Sequence, residues 1–441
     1  MTALPSPPPS PWRWIPTLYF GQGLPYVVVM TLAVVMYKNL GVSNTEIALL
    51  TGWLYLPWVI KPLWSPLVEL LGTPRRWVLA MQWLIGAALG GVALVLPGPE
   101  PVRATLAVLW LLAFASATHD IAADGFYLQA LRPRQRAAFV GVRSTCYRLA
   151  MIAGQGGLIA LAGWWQQQQP GLGAAGAWVR VFGLLGALFV LLALLHTLSL
   201  PRPVAGAPAP AGASVPAPTR RRAGELRRDF VAVFAAFLRR PDIGRVLAFL
   251  LLYRFAEAQL LKLVAPFALD AASAGGLGLS NQQLGLAYGT LGVAALTAGG
   301  LLGGWVISRR GLDRLLWPMV VCMHLPNLLF VALALWQPTQ LGWISAALMA
   351  EQFGYGFGFA AYMVFMMMVA EGPHQTAHYA ICTGFMALGM MLPGMAAGWL
   401  QSQLGYTGFF VWVCVATIPS FVAVAAVRIR PGYGREAETE L

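Results

Sequence analysis

Asp120 and Asp124 stand four residues apart in Thr118-His-Asp-Ile-Ala-Ala-Asp124, inside an otherwise apolar stretch, and Arg143 and Arg148 follow in the next such stretch. Four residues span about one helical turn, so both carboxylates project from one face of a helix. Carboxylates in apolar surroundings can bind and release a proton or pair with a cation. Folding the chain back near Pro133 brings Asp124 level with Arg143 and Asp120 level with Arg148, a ladder of two possible ion pairs. An intramembrane charge costs at least ~2.5 kcal/mol on insertion scales, so such a ladder should face a bundle interior or an aqueous cavity. A ladder that only fixes two helices in register, or latches one side of a gate, carries equal weight.

Other polar residues interrupt apolar stretches in the same way. Gln22 lies between Gly21 and Gly23, ahead of Pro25 and Tyr26. Glycine and proline permit close packing or a bend, and the amide can serve a polar ligand or bond to a neighbouring helix. Lys61 either snorkels to the membrane surface, within reach of Glu69, or binds an anionic group. Arg254, Glu257, Gln259 and Lys262 form a polar stripe suited to a cavity wall. Arg254 and Glu257 are spaced to satisfy each other, and the two cations suit carboxylates or phosphates of a ligand. Glu351 and Gln352 precede Gly354, Gly356 and Gly358, with no obvious local partner for Glu351. Glu351 therefore competes with Asp120, Asp124 and Glu257 for a proton-coupling role. His119, His196 and His324 read as structural.

These residues must be positioned by membrane helices. Of 441 residues, 58% are hydrophobic and 10% charged, against about 25% charged in soluble domains. The apolar runs are too long for outer-membrane barrel strands. The expected fold is all-α and membrane-embedded, with about twelve spans near 14–37, 45–70, 77–96, 102–131, 137–164, 177–200, 243–269, 281–308, 313–335, 340–370, 376–402 and 405–429. Cys146, Cys322, Cys382 and Cys414 lie in apolar runs without metal-ligand spacing, so neither a disulfide framework nor a metal is expected.

The net charge of +13 is distributed as topology rather than as a nucleic-acid surface. Arg75/Arg76, Arg132/Arg134/Arg136, the 201–240 linker, Arg309/Arg310/Arg314 and Arg428/Arg430/Arg435 fall on one side, and only Lys38, Arg103 and Arg180 on the other. This positive-inside pattern places both termini in the cytoplasm. Met1 to Pro11 lacks the pattern of a secretory signal, so the first span is expected to direct insertion.

The chain repeats itself. Gly41-Val-Ser-Asn-Thr-Glu-Ile-Ala-Leu49 recurs 237 residues on as Gly278-Leu-Ser-Asn-Gln-Gln-Leu-Gly-Leu286, and Gly52 recurs as Gly289. Ser43 with Glu46 and Ser280 with Gln283 have capping-box spacing. Phe20-Gly-Gln-Gly23 echoes in Phe255-Ala-Glu-Ala258. The organisation is thus a six-helix half over 1–200, a basic linker over 201–240 with Pro203–Pro218, Arg220–Arg222 and an amphipathic helix near Phe230–Leu238, and a second half over 241–441. Two related six-helix halves with a long cytoplasmic linker match the major facilitator architecture, in which substrate sits between halves and access alternates.

Tyr19-Phe-Gly-Gln-Gly-Leu-Pro25, Lys61-Pro-Leu-Trp-Ser-Pro-Leu67, Ala117-Thr-His-Asp-Ile-Ala-Ala-Asp124 and Tyr147-Arg148 resemble the AmpG-type muropeptide permeases, a group that includes acetyl-CoA transporters. The match is concentrated over residues 15–155; His119 stands where the family more usually has Gln, and the two extra spans of some members are missing. The resemblance implies proton-driven import of N-acetylglucosaminyl-1,6-anhydro-N-acetylmuramyl peptides across the bacterial inner membrane for cell-wall recycling. Related permeases that carry siderophores or acyl-CoA keep another solute open, and a membrane-embedded enzyme or receptor is a third class.

No phosphate-binding loop of an ATP-driven pump is found in the sequence, and no catalytic constellation. The expected protein is a proton-coupled symporter, not an enzyme, monomeric, without a cofactor. Asp120, Asp124, Arg143, Arg148, Glu257 and Glu351 are its proton-coupling or ion-pair residues. Gln22, Tyr26, Lys61, Arg254, Gln259, Lys262 and Gln352 are its substrate-binding candidates.

Overall fold

In a computed structural model the protein is described over residues 10–131, 133–201, 223–372 and 375–435. Met1 to Pro9, Arg132, the Pro203–Pro218 tract and Arg220–Arg222 lie outside the described residues, as do the side chains of Glu69, Arg134 and Arg136. The described residues fold into helices and connecting turns.

The spans are α1 (Pro11–Asn39), α2 (Asn44–Ser65), α3 (Pro74–Val95) and α4 (Pro101–Ala130). Next come α5 (Pro133–Ile152, continued by Ala153–Leu158 and Ile159–Gln168) and α6 (Pro170–Ser199). After the linker follow α7 (Ile243–Leu252 and Phe255–Leu269), α8 (Asn281–Arg310), α9 (Leu312–Trp336) and α10 (Leu341–Ala370). The apolar run Ala377–Ala426 breaks at Gly405, whose φ of 66° turns the chain, giving α11 (375–404) and α12 (406–426).

Nine runs among the described residues are individually long and apolar enough to cross a membrane. One of them holds both α11 and α12. α5 is not among them because it carries Arg143 and Arg148 as well as Arg134 and Arg136. α7 is not because Arg245, Arg254, Glu257 and Lys262 interrupt its apolar run. The twelve-span reading and this arrangement are therefore compatible, and the chain is a multi-pass membrane protein.

Local chemistry starts the helices where expected. Ser43 accepts from the Glu46 amide at 3.2 Å while Glu46 accepts from the Ser43 amide at 3.4 Å. Ser280 and Gln283 do the same at 3.2 and 2.9 Å. Each box satisfies two amides that the first helical turn leaves without partners. At the end of α6, Arg75 donates to the carbonyl oxygens of Thr197 and Leu200, closing the opposite kind of terminus. The linker helix (Ala223–Leu238) buries Phe237 while Val231 stays exposed, as an amphipathic helix should. All four cysteines are free.

Contacts group the chain into two compact units. The first comprises Met1–Val28, Leu63–Met151 and Trp178–Leu226, with a core of Trp14, Leu18, Tyr19, Val78, Ala123 and Phe126. The second comprises Val29–Pro62, Ile152–Ala177 and Arg227–Leu441, centred on packed rings of Phe249, Tyr253, Tyr362 and Phe365. The two six-span halves are an expectation from the sequence repeat, and these units are divided differently.

Candidate functional site

In the first unit the acidic pair of α4 finds part of its ladder. Arg143 on α5 pairs with Asp124 at 2.7 Å, with the two side chains 32% and 41% exposed. The guanidinium also lies 4.5 Å from the ring centre of Tyr19 on α1 and 5.5 Å from that of Tyr127 on α4. Two ring faces and one carboxylate thus share a single cation, which fixes its plane more tightly than an ion pair alone. Asp120 and Arg148 are half-buried, and Asp120 adds its negative field to Arg143.

Gly23 permits this meeting of α1 and α5. A Cβ there would stand 2.8 Å from the Ala150 Cβ and 3.1 Å from the Tyr147 carbonyl oxygen. Gln22 beside it is 6% exposed, and its carbonyl oxygen accepts no hydrogen bond among the described residues. Tyr26 is half-buried.

The same unit contains a polar chain whose hub sequence reasoning missed. Thr17 stands 2.9 Å from His196 Nε2, His196 Nδ1 stands 2.9 Å from Gln82 Oε1, and Gln82 Nε2 stands 3.2 Å from His119 Nε2. Because an amide nitrogen donates and an amide oxygen accepts, this orientation assigns an acceptor nitrogen to His119 and a donor Nδ1 to His196. One side chain, Gln82, joins α3 to α4 and α6, and Thr17 extends the chain to α1. A buried glutamine in an apolar helix was the available signal.

The second unit holds the acids of α7 and α10. Arg254 occupies the break in α7 and donates to the Tyr355 hydroxyl, with its guanidinium 5.1 Å from the Tyr355 ring and 4.8 Å from Phe359. The positive field of Arg254 reaches Glu257, as their spacing allows. Both Glu257 oxygens are buried. The break in α7 at Arg254 coincides with its contacts to Tyr355 and Phe359 on α10.

Glu257 also faces Glu351, and both are 0% exposed. The local partner not expected for Glu351 is Gln352, whose amide donates to Glu351 at 2.8 Å. Tyr288, not singled out from the sequence, lies within electrostatic reach of both acids and also of Tyr55 and Tyr355. Gly354 and Gly356 explain how α10 reaches its neighbours. Their added Cβ atoms would stand 2.3 Å from the Cys322 carbonyl oxygen on α9 and 2.1 Å from that of Leu296 on α8.

Lys262, one turn beyond Glu257, is 7% exposed. Its ammonium has no hydrogen-bond partner among the described residues and lies 5.5 Å from the Tyr55 ring centre. A desolvated cation against one aromatic face retains donors for an anionic group. Gln259 is differently placed: Trp412 donates to its oxygen at 2.8 Å, and its nitrogen donates to the Phe255 carbonyl oxygen at 3.2 Å. Its amide ties α7 to α12. Lys61 is half-buried in this unit.

Comparison with known proteins finds the same architecture. A family model described as Major Facilitator Superfamily matches residues 17–367. The Anhydromuropeptide permease of Escherichia coli (strain K12) is 26% identical over 425 residues, covering 95% of this chain and 80% of that one. Among solved structures, a mutant of the nucleoside transporter NupG is similar with a TM-score of 0.68 at 15% identity, covering 94% of this chain and 99% of the other. A D-xylose-proton symporter gives 0.67 at 12% identity, covering 96% and 98%.

Proposed function

The chain belongs to the Major Facilitator Superfamily, and on that premise we propose that this secondary transporter imports anhydromuropeptides by proton symport with alternating access. The cargo is supported by the relative named for it, which aligns over 95% of the chain. The buried carboxyl pair Glu257 and Glu351 carries the coupling reading. Two carboxyl groups in contact hold one proton between them more readily than two charges side by side.

Lys262 and Arg254 would receive carboxylates of the peptide. Gln22, Tyr26, Lys61 and Gln352 would contribute polar contacts, while Gln259 serves packing. The pair Asp124 and Arg143, with Asp120 and Arg148 above it, would adjust as the transporter changes state. Each six-span half, 1–200 and 241–441, would rock against the other as a monomer in the bacterial inner membrane, with both termini cytoplasmic. The protein moves its solute without altering it and is not an enzyme.

Uptake of radiolabelled anhydromuropeptide into proteoliposomes tests this reading. Uptake should require an imposed proton gradient, collapse with an uncoupler and fall with Glu351→Gln. Uptake indifferent to all three overturns proton coupling. Absent muropeptide uptake, with proton-driven uptake of a siderophore or acyl-CoA, overturns the cargo alone.

A further inference from the structure

The break in α7 is held from outside the helix. Its first piece ends at Leu252 and its second begins at Phe255. The last four carbonyl oxygens of a helix lack partners within it, and inside a membrane such groups must be satisfied by protein. The Phe249 oxygen accepts from the Tyr253 amide at 3.0 Å. Two of the other three are met by side chains from separate helices of the second unit. The Tyr362 hydroxyl of α10 donates to the Leu250 oxygen at 2.6 Å, and the Ser420 hydroxyl of α12 donates to the Leu252 oxygen at 2.9 Å. α11 packs over the same stretch: a Cβ on Gly389 would stand 3.2 Å from the Leu250 oxygen and 3.0 Å from that of Leu251.

Tyr253 answers from the break itself. Its hydroxyl donates to the Gly358 oxygen of α10 at 3.0 Å, and its ring centre lies 5.4 Å from that of Tyr362. Each phenol thus crosses to the main chain of the other helix. Tyr253, Tyr362 and Ser420 are all fully buried. Sliding α7 along α10 would strain both phenol bonds at once, so the two tyrosines act as a brace on register.

Register matters because the charged groups flank this brace. Arg254 follows Tyr253 directly and donates to Tyr355, and its guanidinium lies 4.8 Å from the ring of Phe359, the residue after Gly358. Glu257 stands about one turn beyond Tyr253, and Glu351 about two turns before Gly358 on the facing helix. The break is not part of the repeat. α1 stays helical from Ile15 to Val27, through the segment Phe20–Gly23 that is echoed by Phe255–Ala258.

We propose that Tyr253, Tyr362 and Ser420 are positioning residues that hold broken α7 in register with α10, so that Arg254 can receive a carboxylate of the cargo. They act through Arg254 and not by touching the cargo. The proposal rests on the reading of Arg254 as a carboxylate-binding residue, but not on proton coupling.

Tyr362→Phe and Ser420→Ala each remove one hydroxyl and little volume. Hydrogen–deuterium exchange of the full chain in nanodiscs should quicken about tenfold over residues 250–258 in either variant, the factor for one lost hydrogen bond. Exchange in α3 and α4 should keep the parent rate. In proteoliposomes, either variant should raise KM for radiolabelled anhydromuropeptide about tenfold at unchanged kcat. Arg254→Gln should raise KM in the same way, and adding Tyr362→Phe to it should raise KM no further. Unchanged exchange over 250–258 overturns the brace. Exchange quickened throughout the chain, an unchanged KM, or a KM rise that multiplies with that of Arg254→Gln overturns the positioning role. If Arg254→Gln itself keeps the parent KM, the carboxylate reading falls and the positioning role with it. If the parent takes up no anhydromuropeptide, the cargo reading fails and the exchange result alone decides the brace.

Discussion

Arg143 holds Asp124 at 2.7 Å while its guanidinium rests 4.5 Å from the Tyr19 ring, so one cation links α5, α4 and α1. Both charged side chains remain about a third or more exposed. An ion pair in that setting contributes at most ~1 kcal/mol of stability after solvent screening.

Asp124→Asn should therefore cost little stability but lower uptake by about tenfold, the rate factor of ~1.4 kcal/mol. Initial rates in proteoliposomes, compared with melting in detergent, separate the two effects. A large drop in melting temperature with unchanged uptake per folded molecule would make the pair a purely structural tie.

Gln82→Leu should be more damaging to the fold than to any surface. It removes the partner of both His119 and His196, each buried. Leaving a buried polar group unsatisfied costs ~1–3 kcal/mol. The detergent melting temperature should fall by several degrees, and an unchanged melt would show that the two imidazoles find other partners.

Beyond the end of α10, Arg430 and the Tyr433 hydroxyl both donate to Glu371 and hold its carboxyl below the usual range. A carboxyl lowered in the folded state contributes stability above its unfolded value, about 4.3. That contribution is lost as pH falls through the lower folded value. Melting measured from neutral pH down to about pH 3 should thus show an acid decline that is shallower in Glu371→Gln. Identical acid limbs would refute the contribution.

Close packing around α10 predicts a contrast between glycines. At Gly356 a Cβ would stand 2.1 Å from the Leu296 carbonyl oxygen, whereas at Gly304 it would meet nothing within 4 Å. Gly356→Ala should destabilise by ~1–3 kcal/mol through forced backbone movement. Gly304→Ala in α8 should be neutral or stabilise by up to ~1 kcal/mol through helix propensity. Comparable melts for the two variants would contradict the packing.

The sequence by itself determined the features that depend on near neighbours. Apolar length set the spans, two serine caps set the starts of α2 and α8, and four-residue spacing placed Asp120 and Asp124 on a face that Arg143 could meet across one turn. The family resemblance added the suspected cargo. Tertiary structure decided which distant side chains share a space. Glu257 meets Glu351, Gln82 joins two histidines, and Lys38 finds Asp270 through packing of separate helices. It also brought Arg254 to Tyr355 and committed Gln259 to Trp412. Helical periodicity tells which residues share a face, but the helix opposite that face is chosen by close packing over the whole bundle.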